Sequence, residues 1–125
     1  MKIKNILMIS GLLCTLFIPN IYAKEKTFTS TVTAYTLAQK ECGKSKNNKY
    51  YGITASMKKA VEGTTIAMSN KYKFGTKVKI EGFKHTFIVQ DRGGAIQGDR
   101  IDIFMNNKKD AIRFGKKKLK VTIIE

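Results

Sequence analysis

The chain has 125 residues, 24 Lys and Arg against 9 Asp and Glu, a formal charge of +15, two cysteines and one histidine. That length fits one domain with a modest core, not two, and the Cys and His count leaves too few ligands for a zinc site. The charge implies polyanionic partners, but no recognition-helix pattern, aromatic-rich nucleic-acid motif or zinc spacing accompanies it, so no specific nucleic-acid partner, metal or cofactor is expected.

At the N-terminus, Lys2 and Lys4 precede an uncharged apolar run from Ile6 to Ile18, followed by Pro19-Asn20 and the small-residue ending Ile21-Tyr22-Ala23. This three-part layout predicts an export signal over residues 1–23, cleaved after Ala23. The apolar run is 13 residues long and Pro19 ends it, whereas a spanning helix needs about 20. Lipidation at Cys14 is disfavoured because Leu13 stands where a small residue is normal. Residues 24–125 then form a single domain. Without Lys2 and Lys4 its formal charge is +13, and its one cysteine, Cys42, leaves no internal disulfide. The expected location is periplasmic, or secreted to the cell wall. The spread of basic charge suits a monomer attached to anionic envelope polymers.

The domain reads as mainly β. Thr27–Tyr35 alternates Thr, Val and aromatic residues, as a first strand would. A polar loop, Gln39–Tyr51, follows. Short β-like stretches come next at Gly52–Ala55, Thr64–Met68, Lys77–Ile80, Thr86–Gln90, Ile101–Met105 and Leu119–Ile124, separated by glycine-containing turns. One helix is expected, capped by Asn107 and ended by Gly115, with Asp110 in its first turn. Many short strands in about 100 residues point to a small barrel or sandwich.

The segment from Gln90 to Phe104 is the most informative. It ends an apolar strand on Asp91, turns through Gly93-Gly94, and enters a second strand carrying Asp102. Asp91 alone is adequately explained as a turn-capping aspartate. Asp102 is less easily explained, because Ile101, Ile103 and Met105 face one side of the strand while Asp102 shares the other with Phe104. A partly buried carboxylate there is either a proton donor whose pKa desolvation has raised, or a structural partner of Arg92, Arg100 or Arg113. The residues alone do not choose between these. Cys42 and His85 are a weaker pair, since Cys42 sits in a Lys/Asn/Gly-rich loop with no helix start beside it. Asp91, Asp99 and Asp102 match no Ca²⁺ loop.

Five motifs in order, Thr33-Ala34-Tyr35, Tyr51-Gly52-Ile53-Thr54-Ala55-Ser56, Gly63-Thr64-Thr65-Ile66-Ala67, Phe74-Gly75-Thr76-Lys77-Val78 and Asp91 to Phe104, resemble the 3D domain. That family of bacterial cell-wall proteins is named for three aspartates and is related to the catalytic barrel of membrane-bound lytic transglycosylase A. The resemblance implies a six- to seven-stranded double-psi β-barrel with one or two short helices and a groove for peptidoglycan glycan strands. It also implies lytic transglycosylase chemistry: an acid protonates the bond between N-acetylmuramic acid and N-acetylglucosamine, and the muramyl C6 hydroxyl displaces it to leave a 1,6-anhydro end. The family's middle and last aspartates fall on Asp91 and Asp102, which makes Asp102 the expected acid and base and Asp91 its support. Thr54, Ser69, Gly93, Gly94 and Gln97 are the expected sugar contacts.

This sequence departs from the family in three places. Ser69 occupies the position of the first aspartate, Gln97 that of a common lysine, and Arg92 follows Asp91 where several relatives have threonine. Arg92 is expected to hold Asp91 ionised. Two other readings stand beside the enzyme. One is a wall-binding or assembly module that kept the barrel and lost turnover with the first aspartate. The other, supported by charge alone, is a basic envelope protein that binds nucleic acid or lipid.

Overall fold

The first strand, β1, runs over Glu25–Tyr35 and is long enough to serve two neighbours. Its first eight residues pair antiparallel with the last strand, β6 (Lys117–Ile124), and its last four pair parallel with β5 (Ile101–Phe104). A computed structural model describes residues 24–38 and 43–125. The expected export signal and Cys42 lie outside the described residues. Between β1 and β5 in sequence lie β2 (Thr65–Ala67), β3 (Lys77–Ile80) and β4 (Thr86–Asp91).

The six strands close into a barrel in the order β1-β5-β2-β4-β3-β6. Two parallel pairs, β1 with β5 and β2 with β4, are inserted among antiparallel ones, in agreement with the expected double-psi barrel. Closure leaves no strand edge exposed. It also needs one face of every strand to be apolar, and the alternation supplies it. Val32, Ile66, Val78, Ile80, Phe87, Val89, Ile101, Ile103, Val121 and Ile123 are each no more than 2% exposed and form the interior. Most are β-branched, the type that packs best on a pleated surface.

One helix, α1 (Lys108–Phe114), joins β5 to β6. Asn107 caps it as expected, its side chain accepting from the N–H groups of Lys109 and Asp110, and Gly115 closes it at φ 68°. The helix buries no residue fully. Phe114 packs against the barrel interior, with its ring 6.0 Å from that of Phe83, which in turn meets Phe87 edge-on at 5.3 Å.

The stretch Gly52–Ala55 is not a strand. Ile53 makes a single bridge to Lys59, and the Thr54 Oγ1 donates to the Lys58 carbonyl at 2.8 Å while the Thr54 N–H bonds the same oxygen at 2.7 Å. Those bonds close a turn instead of extending a ladder. Gly52 at φ +80° and Met57 at φ +67° make the reversals.

Candidate active site

The site is assembled on the outer face of the barrel wall by one rung of four strands. Thr33 of β1 pairs with Asp102 of β5, Asp102 pairs with Ala67 of β2, and Ala67 pairs with Asp91 of β4. Two inter-strand steps therefore separate the Cα atoms of Asp91 and Asp102, about 10 Å. Ala67 between them is small enough to leave a hollow. A second, smaller apolar cluster, Tyr35, Ala67, Ile96 and Phe104 with Leu37 and Ala60 packed on it, lies on this outer face.

Asp91 reaches that face through a β-bulge. Ile66 pairs with Val89, but the next residue, Ala67, pairs with Asp91, so Gln90 is an extra residue in β4. Strict alternation from Phe87 and Val89, which point inward, would have sent Asp91 into the core; the bulge re-aims it. Three hydrogen bonds then fix its carboxylate. Oδ1 accepts from the N–H groups of Ala55 and Arg92, each at 2.9 Å, and Oδ2 accepts from the Tyr35 hydroxyl at 2.7 Å. All three partners donate, so this carboxylate is held as an acceptor.

Asp102 has a different environment. Its Oδ1 accepts from the Thr33 hydroxyl at 2.9 Å, and among the described residues it makes no ion pair. Burial pushes its pKa above the ordinary carboxylate value. The Thr33 hydrogen bond and the charge of Arg100 oppose that rise, and the negative charge of Asp91 adds to it. Arg100 therefore acts on Asp102 through space, without closing a salt bridge, and its Nε is buried with no hydrogen-bond partner.

Arg92 is placed otherwise than its position beside Asp91 suggests. Its guanidinium donates to the main-chain carbonyls of Tyr72, Met68 and Asp91, at 2.7, 3.3 and 3.3 Å, and lies 4.0 Å from the centre of the Phe74 ring. Burial lowers its pKa and the charge of Asp91 resists this. It thus ties β4 to the Met68–Phe74 turn.

Both carboxylates line one cavity of about 510 Å³, with Thr54, Gly93 and Gly94 among its walls. Two further hollows share its walls. Lys44, Ile53, Thr54 and Ala55 are shared with a hollow beside Tyr50 and Met57, and Arg92, Gly93 and Ile96 with another that holds Ser69, Asn70 and Gln97. The carboxylates line the hollow whose walls the other two share.

Of the expected sugar contacts, Thr54 is 3% exposed and spends its hydroxyl on the Lys58 turn. Ser69 lies in the flanking hollow, its hydroxyl donating to the Gly98 carbonyl at 2.8 Å and accepting from the Lys71 N–H at 3.3 Å. Gln97 donates to the Gly94 carbonyl at 2.8 Å. The loop from Gly93 to Arg100 is pinned further by Ser30, which donates to the Asp99 carbonyl, and by Tyr72 and Lys71, which bind the Asp99 carboxylate at 2.5 and 2.9 Å. Thr33 and Tyr35, the hydroxyls that hold the two carboxylates, stand in a sequence motif that by itself carries no sign of that role.

The model of the 3D domain family matches residues 64–125. This chain carries a 3D domain. The matched span holds Ser69, Asp91, Gly93, Gly94, Gln97 and Asp102, while Thr33, Tyr35 and Thr54 come from the segment before it. Two curated relatives come from Bacillus subtilis (strain 168): YabE, named for cell wall shaping, is 33% identical over 100 residues, and YocH, named a cell wall-binding protein, is 33% identical over 103. Each alignment covers 79% of this chain but only 23% of YabE and 33% of YocH. Among solved structures, this chain is similar to two crystal structures of MltA from Escherichia coli. One matches with a TM-score of 0.51 at 18% identity over 62% of this chain and 29% of MltA; the other, described as a unique lytic transglycosylase fold, matches at 0.50 and 20% over 58% and 27%. At that identity the likeness is one of fold.

Proposed function

We propose that this protein acts outside the cytoplasm on peptidoglycan, as a lytic transglycosylase with Asp102 as its acid and base. The observation that carries this reading is the contrast between two carboxylates in one groove. Asp91 accepts three hydrogen bonds, while Asp102 is desolvated, held by one oxygen, and raised in pKa toward the range of a general acid. A carboxyl group whose burial favours its protonated form is the one suited to act as the acid. The MltA-like fold and the cell-wall names of YabE and YocH support the substrate class.

In the proposed mechanism a glycan strand lies along the three hollows with the scissile bond over Ala67. Protonated Asp102 gives its proton to the glycosidic oxygen as the bond to the muramyl anomeric carbon breaks. Asp91 stabilises the positive charge that develops on the sugar. The Asp102 carboxylate then takes the proton of the muramyl C6 hydroxyl as that oxygen bonds to the anomeric carbon, which yields a 1,6-anhydro end and restores the acid without consuming water.

A second reading, a wall-binding module without turnover, is favoured by Ser69 at the position of the family's first aspartate and by the name of YocH. The test is turnover and wall binding of the wild type beside Asp102→Asn and Asp91→Asn. Loss of turnover in Asp102→Asn with binding retained supports the enzyme. Undiminished turnover in that variant removes Asp102 from the role, and binding without turnover in the wild type leaves the module.

A further inference from the structure

The outer face of β3 and β6 carries a row of lysines that the groove does not use. Val78 and Ile80 of β3, and Leu119, Val121 and Ile123 of β6, point inward, so Lys77, Lys79, Lys118 and Lys120 point out, and all four are exposed. Register puts them in line. Lys77 lies beside Ile124 and Lys79 beside Thr122; Glu81, the next outward position, bonds the main chain of Lys120, and Lys118 follows. The row passes from β3 to β6 with a cation every two residues, a spacing of about 7 Å and a total length of about 20 Å.

Hydroxyls run alongside. Thr29 of β1 pairs with Lys120 and Thr31 with Lys118, and the Thr27 and Thr122 hydroxyls lie 3.1 Å apart on the same face. The nearby acids are Glu25, Glu81 and Glu125, at strand ends, and Glu81 turns a carboxylate oxygen to the Lys120 N–H. Among the described residues none of the four lysines is in an ion pair.

We propose that this face binds a linear polyol phosphodiester chain, with each lysine meeting one phosphate and the threonine hydroxyls donating to its oxygens. Three observations select that occupant. The regular linear spacing fits a polymer with recurring charge. None of the large exposed apolar residues, Tyr50, Met57, Val61, Phe74 and Ile112, belongs to β1, β3 or β6, and Phe74, which shares a hollow with Ile124 at the Lys77 end, is stacked by Arg92, so the row lacks the wedge that anchors a surface to a bilayer and the aromatic platform that stacks nucleic-acid bases. Lysine in place of arginine suits point-charge contact with phosphate. In the closed order β6 is three strands from β2 in either direction and β3 is two, so the row is on strands away from Ala67, and the protein can hold such a polymer with its groove free. The proposal does not depend on the chemistry of the groove.

The test is titration of the purified protein with poly(glycerol phosphate) across a range of salt. The comparison sets Lys77→Gln/Lys79→Gln/Lys118→Gln/Lys120→Gln against a control of equal charge change, Lys46→Gln/Lys49→Gln/Lys58→Gln/Lys59→Gln. The wild type should show a log-affinity against log-salt slope of about 3, from four contacts at about 0.7 each. The row variant should lose at least tenfold in affinity and most of that slope, with the control near wild type and both retaining wild-type circular dichroism. Equal losses in the two variants would mean net charge alone and overturn the row. Tighter binding to phosphatidylglycerol vesicles or to a single-stranded oligonucleotide than to the polymer would overturn the choice of occupant.

Discussion

Asp102 and Asp91 are the same residue type placed in contrasting environments by their neighbours. Asparagine at 102 preserves shape and removes the proton, so Asp102→Asn is expected to lower turnover by about 10²- to 10⁴-fold, the span of a general acid. Asparagine at 91 can keep accepting from Ala55 and Arg92 while its amide donates to Tyr35, so that variant isolates the loss of charge and should cost less. Tyr35→Phe removes one of the three bonds to Asp91; a hydrogen bond to a charged group contributes about 1.5–3 kcal/mol, and thermal unfolding should report a loss of that order. Thr33→Val removes the bond that favours ionised Asp102. Its pKa then rises, protonated acid persists to higher pH, and the alkaline limb of kcat/KM should move upward.

At the scale of elements, the loop from Gly93 to Arg100 owes its shape to contacts from β1 and the Met68–Phe74 turn. Ser69→Ala leaves the Gly98 carbonyl and the Lys71 N–H without that partner and should cost about 1 kcal/mol, with faster amide exchange along the loop. Ser69→Asp, which restores the family residue, offers no hydroxyl to Gly98; a gain in turnover from it would show that the missing carboxylate matters more than the anchor. What was legible in sequence follows from period. The alternation of β5 marked Asp102 as the lone carboxylate on an otherwise apolar strand, and Asn107 and Gly115 bounded the helix. The bulge at Gln90 was not legible, because one extra residue leaves no compositional trace yet decides which face Asp91 joins. Gly52–Ala55 read as a strand because its residue types suit one, while the Thr54 bonds to Lys58 turn the chain back. Arg92 reads as a charge partner of Asp91 from adjacency; its N–H bonds that carboxylate and its charge feels it, while the guanidinium itself is spent on three carbonyls and Phe74.

For the whole molecule, two carboxylates give pH dependences of opposite sign. The Tyr72 hydrogen bond first, then Lys71, lowers the pKa of Asp99, and burial and Asp99 together push the Tyr72 phenol up. A depressed carboxylate stabilises the fold above the ordinary value of 3.8 and loses that contribution as pH falls toward its lower native value. Asp102 is the reverse: its raised pKa favours the protonated native state, so its contribution declines as pH climbs from 3.8 through the raised value. Melting temperatures across pH should therefore show Asp99→Asn less stable than wild type near neutrality and converging on it in acid, while Asp102→Asn gains on wild type as pH rises. The proposed division of the barrel, a catalytic groove over β2 and a polyanion row on β3 and β6, would let one small domain hold to the envelope and work on it at once.

The most direct measurement is mass spectrometry of the soluble products released from purified peptidoglycan. Muropeptides ending in 1,6-anhydromuramic acid, formed by the wild type and absent with Asp102→Asn, are the expected result. Reducing-end products would contradict the transglycosylase step and indicate hydrolysis on the same barrel, and no release from wall that the protein still binds would contradict catalysis altogether.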